Sequence, residues 1–301
     1  MISNPLADAL FWPTLAVLAG VLLAGRVLVL LAGRRHLSEN VLLQRWSVWA
    51  LIAPLYALAV LSGSIPLLVL ISVVVVQALR EYSRLVGLPA RYARVLVLAG
   101  LMMGPLAVWY PAAFYAILPL LLILATLQPL LTQEVHGGAR HLAFAAFGFA
   151  YIPLLLDHVL MIEAWLPAGP GVLLVLGLAI ALSDVGAFSV GKLCGRHRLA
   201  PAVSPNKTWE GVAGNLIGAL LGTGLLAFAL PPNLPGWLIV ALPLVVALGC
   251  VWGDLIESLL KREFDSKDAG SWLPGFGGLM DRIDSLIVVA PLAYYLLRVF
   301  G

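Results

Sequence analysis

The segment Lys261–Ser285 reads KREFDSKDAGSWLPGFGGLMDRIDS and gathers nine charged residues in a chain where only 11% of residues are charged. Just ahead of it, Asp254 in GCVWGDLIESLLKR has Glu257, Ser258 and Lys261 at i+3, i+4 and i+7, which share one face of a helix. Behind a turn built from Pro274, Gly275, Gly277 and Gly278, Asp281 and Asp284 stand three apart at the start of another helix. Asp254 closes one helix and Asp281 opens the next, so the loop between them is able to fold both carboxylates together. Paired carboxylates beside glycine backbone and several cations suit a Mg²⁺ ion that carries phosphate oxygens. No His/Cys cluster offers a zinc site. Two plainer readings stand beside this one: Asp254 paired with Lys261 or Arg262 as a structural ion pair, and Asp284 complementing a helix dipole. An ionisable residue inside an apolar span is costly and usually faces a cavity or a partner, which favours a functional role for Asp254.

A second polar stretch has matching chemistry. Asp184 in ALSDVGAFSVGK is followed by Lys192, GRHRLAP and SPNKTWEGVAGN. Ser204, Lys207, Thr208 and Glu210 lead directly into a further apolar run, and Ser, Lys and backbone N–H groups at a helix start are natural phosphate ligands. The stretch is not a Walker A loop, because Pro201 and Asn206 stand where that pattern needs glycine. Gly214, Gly218 and Gly222 form two overlapping GxxxG motifs, which predict tight helix packing within the chain or across a homodimer; packing within the chain is the preferred expectation.

The elements that must position these residues are membrane helices. The chain has 301 residues, 62% hydrophobic, with mean hydropathy +1.02. Soluble domains are closer to half apolar and a quarter charged. The fold class is therefore an all-α polytopic integral membrane protein. Windows of about 20 apolar residues give ten candidate spans, at 9–32, 46–62, 65–80, 94–111, 113–131, 141–161, 171–190, 211–230, 236–260 and 283–300. Spans two and three are short and joined only by SGS, so nine is the alternative count. The whole chain, 1–301, reads as one membrane domain: helices of scaffold or lipid-cavity type over 1–170, and the motif-bearing helices and loops over 171–301. The N-terminus, without a basic n-region or a clear cleavage site, reads as the start of a retained helix. Cys194 and Cys250 imply no disulfide framework.

The loops after odd-numbered spans hold 16 of the 18 Lys and Arg residues, and those after even-numbered spans hold none. This alternation places the charged loops in the cytoplasm and both termini outside. It also discounts Asn206-Lys207-Thr208 as a glycosylation site. The arginines of the 34–45 and 84–94 loops need no explanation beyond topology.

With these residues in view, the sequence resembles the phosphatidate cytidylyltransferases, or CDP-diacylglycerol synthases. The family signature is matched by Ser258, Lys261, Arg262, Lys267, Asp268, Pro274, Gly275, Gly277, Gly278, Asp281, Arg282 and Asp284, with spacing kept throughout; Phe276 stands where the family has His. SDVGAFSVGK and SPNKTWEG look like its other cytoplasmic segments. The resemblance is strong over roughly residues 180–290, and the N-terminal half agrees only in being apolar and helical. It implies cytidylyl transfer from CTP to phosphatidate, giving CDP-diacylglycerol and pyrophosphate. It further implies Asp254 and Asp281 as ligands of Mg²⁺, with a second cation such as K⁺ by analogy. Lys261, Arg262, Lys267, Asp268 and Asp284 would be catalytic, and Ser204, Lys207, Lys192, Ser258, Arg282, Gly277 and Gly278 would bind substrate. The expected partners are CTP and a phosphatidate-like lipid, with no nucleic acid. Phe276 removes a hydrogen-bonding ring and keeps open the same chemistry on another lipid phosphate. A transporter using Asp184 and Asp254 as ion sites is the more distant reading, since the carboxylates cluster at span ends and no inverted repeat is evident.

Overall fold

The computed structural model describes residues 2–33, 39–266, 270, 272 and 277–301. Lys267, Asp268, Pro274, Gly275 and Phe276 lie outside the described residues.

The chain is an all-α polytopic membrane protein. Its helices are α1 (Phe11–Gly33), α2 (Glu39–Leu61), α3 (Ser64–Leu85), α4 (Ala90–Trp109), α5 (Pro111–Leu131), α6 (Gly138–Phe149), α7 (His158–Trp165), α8 (Gly169–Cys194), α9 (Trp209–Leu225), α10 (Gly236–Glu263) and α11 (Met280–Phe300). Strands β1 (Arg198–Ala200) and β2 (Ser204–Thr208) form an antiparallel hairpin between α8 and α9. Among the described residues, eight segments are long and apolar enough to cross a membrane, with α6 and α7 counted together as Gly138–Trp165. Two of the ten expected spans fall short of that length. The apolar part of α2 covers only Trp46–Leu61, and α9 ends at Leu225 after 17 residues. The third span, expected to be short, is a continuous helix of 22 residues. Its last turns carry charge, so the apolar run alone underestimates its length.

Span six is one apolar segment, Gly138–Trp165, but its hydrogen bonding is not α-helical throughout. Between α6 and α7 the chain widens into a π-helical turn, Ala150–Leu154, which holds Pro153. Proline has no N–H to donate and its ring crowds the preceding turn, so an extra residue is absorbed there.

Polar contacts gather the loops into two ends. At one end the Arg91 guanidinium meets Glu134, the Met280 N–H donates to Glu81 Oε2 at 2.9 Å, and Arg262 Nε reaches the Val203 carbonyl at 3.4 Å. At the other, Ser3 N–H donates to the Ser62 carbonyl at 2.9 Å and Ser64 Oγ donates to Glu163 Oε1 at 3.1 Å. The charged loops after α3, α5, α8 and α10 thus share one end.

Two glycine seams set the geometry of that end. Along α9, a Cβ on Gly214 would lie 2.4 Å from the Gly186 carbonyl oxygen, and one on Gly218 would lie 2.1 Å from that of Leu182. The overlapping GxxxG motifs are therefore spent within the chain, against α8, as small residues at a membrane helix interface permit. Ser183 Oγ crosses the same seam to Asn215 Oδ1 at 2.5 Å. Along α10, a Cβ on Gly253 would lie 2.2 Å from the Asp284 carbonyl oxygen. Backbone contact at Gly253 is what sets Asp254 beside the first turns of α11.

Candidate active site

Four aspartates from three helices converge on one cavity of about 280 Å³, lined by Asp184 of α8, Asp254 of α10, and Asp281 and Asp284 of α11. Lys207 and Thr208 from the hairpin, Asn215 from α9 and Arg282 complete its polar wall. The hairpin delivers Lys207 because Thr208 fixes where α9 starts. Its Oγ1 accepts the Gly211 N–H at 3.1 Å, a helix N-cap. The hairpin's own position is fixed by Glu210, whose carboxylate accepts the Arg196 N–H at 3.1 Å and meets His197 Nδ1 at 2.7 Å. Glu210 lies one residue ahead of the apolar run. The His197 contact, followed by backbone N–H groups, pushes its carboxyl down to about 2, so this anchor stays ionised at any physiological pH.

Each aspartate expected to hold a metal is met by an ammonium. Lys207 Nζ pairs with Asp254 Oδ2. Lys261 Nζ lies 2.9 Å from Asp281 Oδ1 and 2.8 Å from Glu257 Oε2. Asp281 Oδ2 also accepts the Gly278 N–H at 2.7 Å. Asp281 and Asp284 are buried, whereas Asp254 remains partly exposed to the cavity. Among the described residues, no group of three or more His, Cys, Asp or Glu side chains is arranged as a preformed metal cage. The donor set nevertheless fits Mg²⁺ by its chemistry. That ion prefers oxygen, keeps waters, and is commonly held by one or two carboxylates together with substrate phosphates, not by a full protein cage.

The structure brings together Lys207, Asp254, Lys261, Gly278, Asp281, Arg282 and Asp284 from the expected set. Asp184, singled out in the sequence beside them, joins the same cavity. Ser204 and Arg262 lie elsewhere: Ser204 pairs with Ala200 near the hairpin turn, and Arg262 reaches Val203 at that turn. Ser258 is a turn beyond Asp254 and lines no part of the cavity. Lys192 is exposed, with its ammonium 5.5 Å from the ring centre of Phe188, a cavity-wall residue. Gly277 takes φ +85°, a conformation in which side chains are strained, which accounts for glycine there.

Glu81 is the residue that sequence reasoning missed. It sits in the last turns of α3, 2% exposed, and its carboxylate reaches under the motif loop. Oε2 accepts the Met280 N–H, and Oε1 accepts Gln77 Nε2 at 2.8 Å. A Cβ on Gly278 would lie 2.6 Å from Glu81 Oε2, so the last motif glycine makes room for this carboxylate. The signal was a lone acid beside Arg80 and Arg84 at a span end, which reads as boundary charge.

Comparison with known proteins identifies the family. A model described as the cytidylyltransferase family matches residues 43–300. The chain is similar to the phosphatidate cytidylyltransferase of Mycobacterium leprae, 40% identical over 170 residues, covering 56% of this chain and 54% of that protein. It is 43% identical over 120 residues to the phosphatidate cytidylyltransferase of Staphylococcus haemolyticus, covering 40% and 46%. It is 34% identical over 178 residues to that of Mycobacterium bovis, covering 57% and 58%. The matched region thus spans about half the length of these curated relatives.

Proposed function

The chain belongs to the cytidylyltransferase family, and we propose that it transfers the cytidylyl group of CTP to a membrane lipid phosphate, phosphatidate, releasing pyrophosphate. The observation that carries this reading is the convergence of Asp184, Asp254, Asp281 and Asp284 with Lys207 and Arg282 on one cavity at a span end. The names of the similar proteins supply the substrate class.

The chemistry asks little of a general base. An ionised lipid phosphate oxygen attacks the α-phosphorus of CTP, the bond to the β-phosphate oxygen breaks, and pyrophosphate leaves. The obstacle is bringing two polyanions together and stabilising charge on the leaving group. Lys207 and Arg282 stand on the cavity wall, where they attract and orient phosphate oxygens. Lys261 holds Asp281 in place while contributing positive charge behind it. Asp254 and Asp281 would hold Mg²⁺, which when bound screens the triphosphate and favours departure of pyrophosphate. Asp184 and Asp284 add further oxygen donors to the cavity wall.

The decisive assay uses the purified full chain, CTP labelled at the α-phosphate and a panel of lipid phosphates. With phosphatidate as acceptor, label is expected in CDP-diacylglycerol, with one pyrophosphate released per transfer. Label in no lipid would refute the assignment. Transfer to a different lipid phosphate alone would reassign the acceptor, the substitution at Phe276 being the sequence feature that invites that comparison.

The reading also places the site on the cytoplasmic side, where CTP is. Support comes from the alternation of Lys and Arg along the loops. In a background with Cys194→Ser and Cys250→Ser, a cysteine at Ser204 should react with an impermeant maleimide only from the cytoplasmic face. Cysteines at Ala168 or Asn233 should react only from the opposite face. Labelling of position 204 from outside would separate the cavity from its nucleotide.

A further inference from the structure

A second, larger cavity of about 760 Å³ lies where α3 turns into α4, at the same end as the candidate active site. Arg80 and Arg84 line it from the last turns of α3, and Arg94 lines it from the second turn of α4. The loop charge that topology alone would explain is therefore arranged around a hollow. None of these three arginines meets a carboxylate among the described residues, whereas their neighbour Arg91 is paired with Glu134. Among the described residues, Arg94 donates to the Ala90 carbonyl, at 3.3 Å.

Two further features of the wall favour an anion. The α4 N-terminus begins at Ala90, a lining residue, with Pro89 as its cap and no side-chain acceptor for its first N–H groups. Such a terminus attracts negative charge. Independently, Ser83 lines the cavity at 4% exposure, and its hydroxyl has no hydrogen-bond partner among the described residues. A buried hydroxyl left unpaired is costly unless a ligand completes it.

The remaining wall is apolar. Val97 and Leu98 continue down α4 toward the membrane interior, and Leu98 is 63% exposed. A soluble anion would have no use for that surface, but a phosphate carrying acyl chains would lay them along it. We propose that the α3–α4 cavity binds the phosphate headgroup of an anionic phospholipid, held by Arg80, Arg84 and Arg94 with Ser83 and the start of α4. This site is separate from the transfer cavity and does not depend on the transfer reading.

The test uses the full chain in nanodiscs of phosphatidylcholine containing a spin-labelled phosphatidylglycerol, a phosphodiester that has no free phosphate to accept a nucleotide. The wild type should immobilise a fraction of that lipid. Arg80→Ala/Arg84→Ala/Arg94→Ala should weaken its retention on the order of a hundredfold, at roughly fivefold per arginine. Lys207→Ala, in the transfer cavity, should leave it unchanged. Arg140→Ala/Arg196→Ala/Arg198→Ala removes the same charge elsewhere and should have little effect. An equal loss in both triple variants would reduce the effect to diffuse attraction and overturn the site. So would full competition by soluble glycerophosphate at matched concentration. Should the triple variant fail to fold, Ala93→Trp, which fills the cavity while keeping every charge, should displace the lipid; retention in that variant would equally refute the proposal.

Discussion

Asp254→Asn and Asp281→Asn should each abolish cytidylyl transfer, by a factor on the order of 10³ or more, while the purified protein keeps its helical content and monodisperse elution. Asn preserves the shape of each side chain and one acceptor oxygen, so the Gly278 N–H that donates to Asp281 still has a partner. What disappears is negative charge at two points of the cavity wall that share a neighbourhood of lysines. If both carboxylates serve one cation carrying the triphosphate, the second substitution costs almost nothing after the first. The double variant should then be no slower than the worse single variant. Rates that multiply as two independent modest losses would show that the aspartates do not act on a common ion.

Glu81→Ala should lower kcat by about a hundredfold, in keeping with the cost of a misplaced catalytic segment, and leave the KM for CTP within a few-fold. Glu81 touches no cavity atom itself. It fixes the Met280 N–H at the first residue of α11, and Asp281 follows immediately. Alanine leaves that buried N–H and the Gln77 amide without acceptors, a penalty of about 1–3 kcal/mol for each group left unpaired. Glu81→Gln, which keeps a carbonyl oxygen for Met280, should restore most of the rate. A role limited to holding the fold together would instead show as lost protein, with normal turnover in whatever protein remained. Failure of Gln to rescue would point to the charge of Glu81 in place of its hydrogen bond.

Much of this site was legible because charge is conspicuous in an apolar chain. Asp254, Lys261, Asp281 and Asp284 announce themselves by position: two span ends and a loop between them leave few ways for the carboxylates to avoid one another. Lys207 was legible for the same reason, standing just before α9. Ser204, three residues earlier, looked equivalent, but strand geometry carries it to the far end of the hairpin. Glu81 was illegible because its meaning lies in Met280, 199 residues away, and no local period encodes such a contact. The spans were readable as apolar runs, yet their ends were not. Arginine-rich last turns lengthen α3, and α9 stops early at Leu225. The intramolecular use of Gly214 and Gly218 was the preferred sequence expectation, and the close approach of α8 confirms it.

That close approach bears on how the protein reaches the membrane at all. At 17 residues, with Asn215 and Thr223 buried in its length, α9 is a poor candidate to partition into lipid alone. Pressed against α8, it hides Asn215 on Ser183 and presents lipid with Ile217, Leu220 and Leu221 instead. The packing therefore favours entry of the two helices into the bilayer as a helical hairpin, with the β1–β2 turn left at the surface. Bulky residues along this seam would be felt during biogenesis, before any nucleotide is bound. Gly218→Leu should therefore lower the amount of mature protein recovered from membranes, read by immunoblot, more than a change at the exposed Leu221 does.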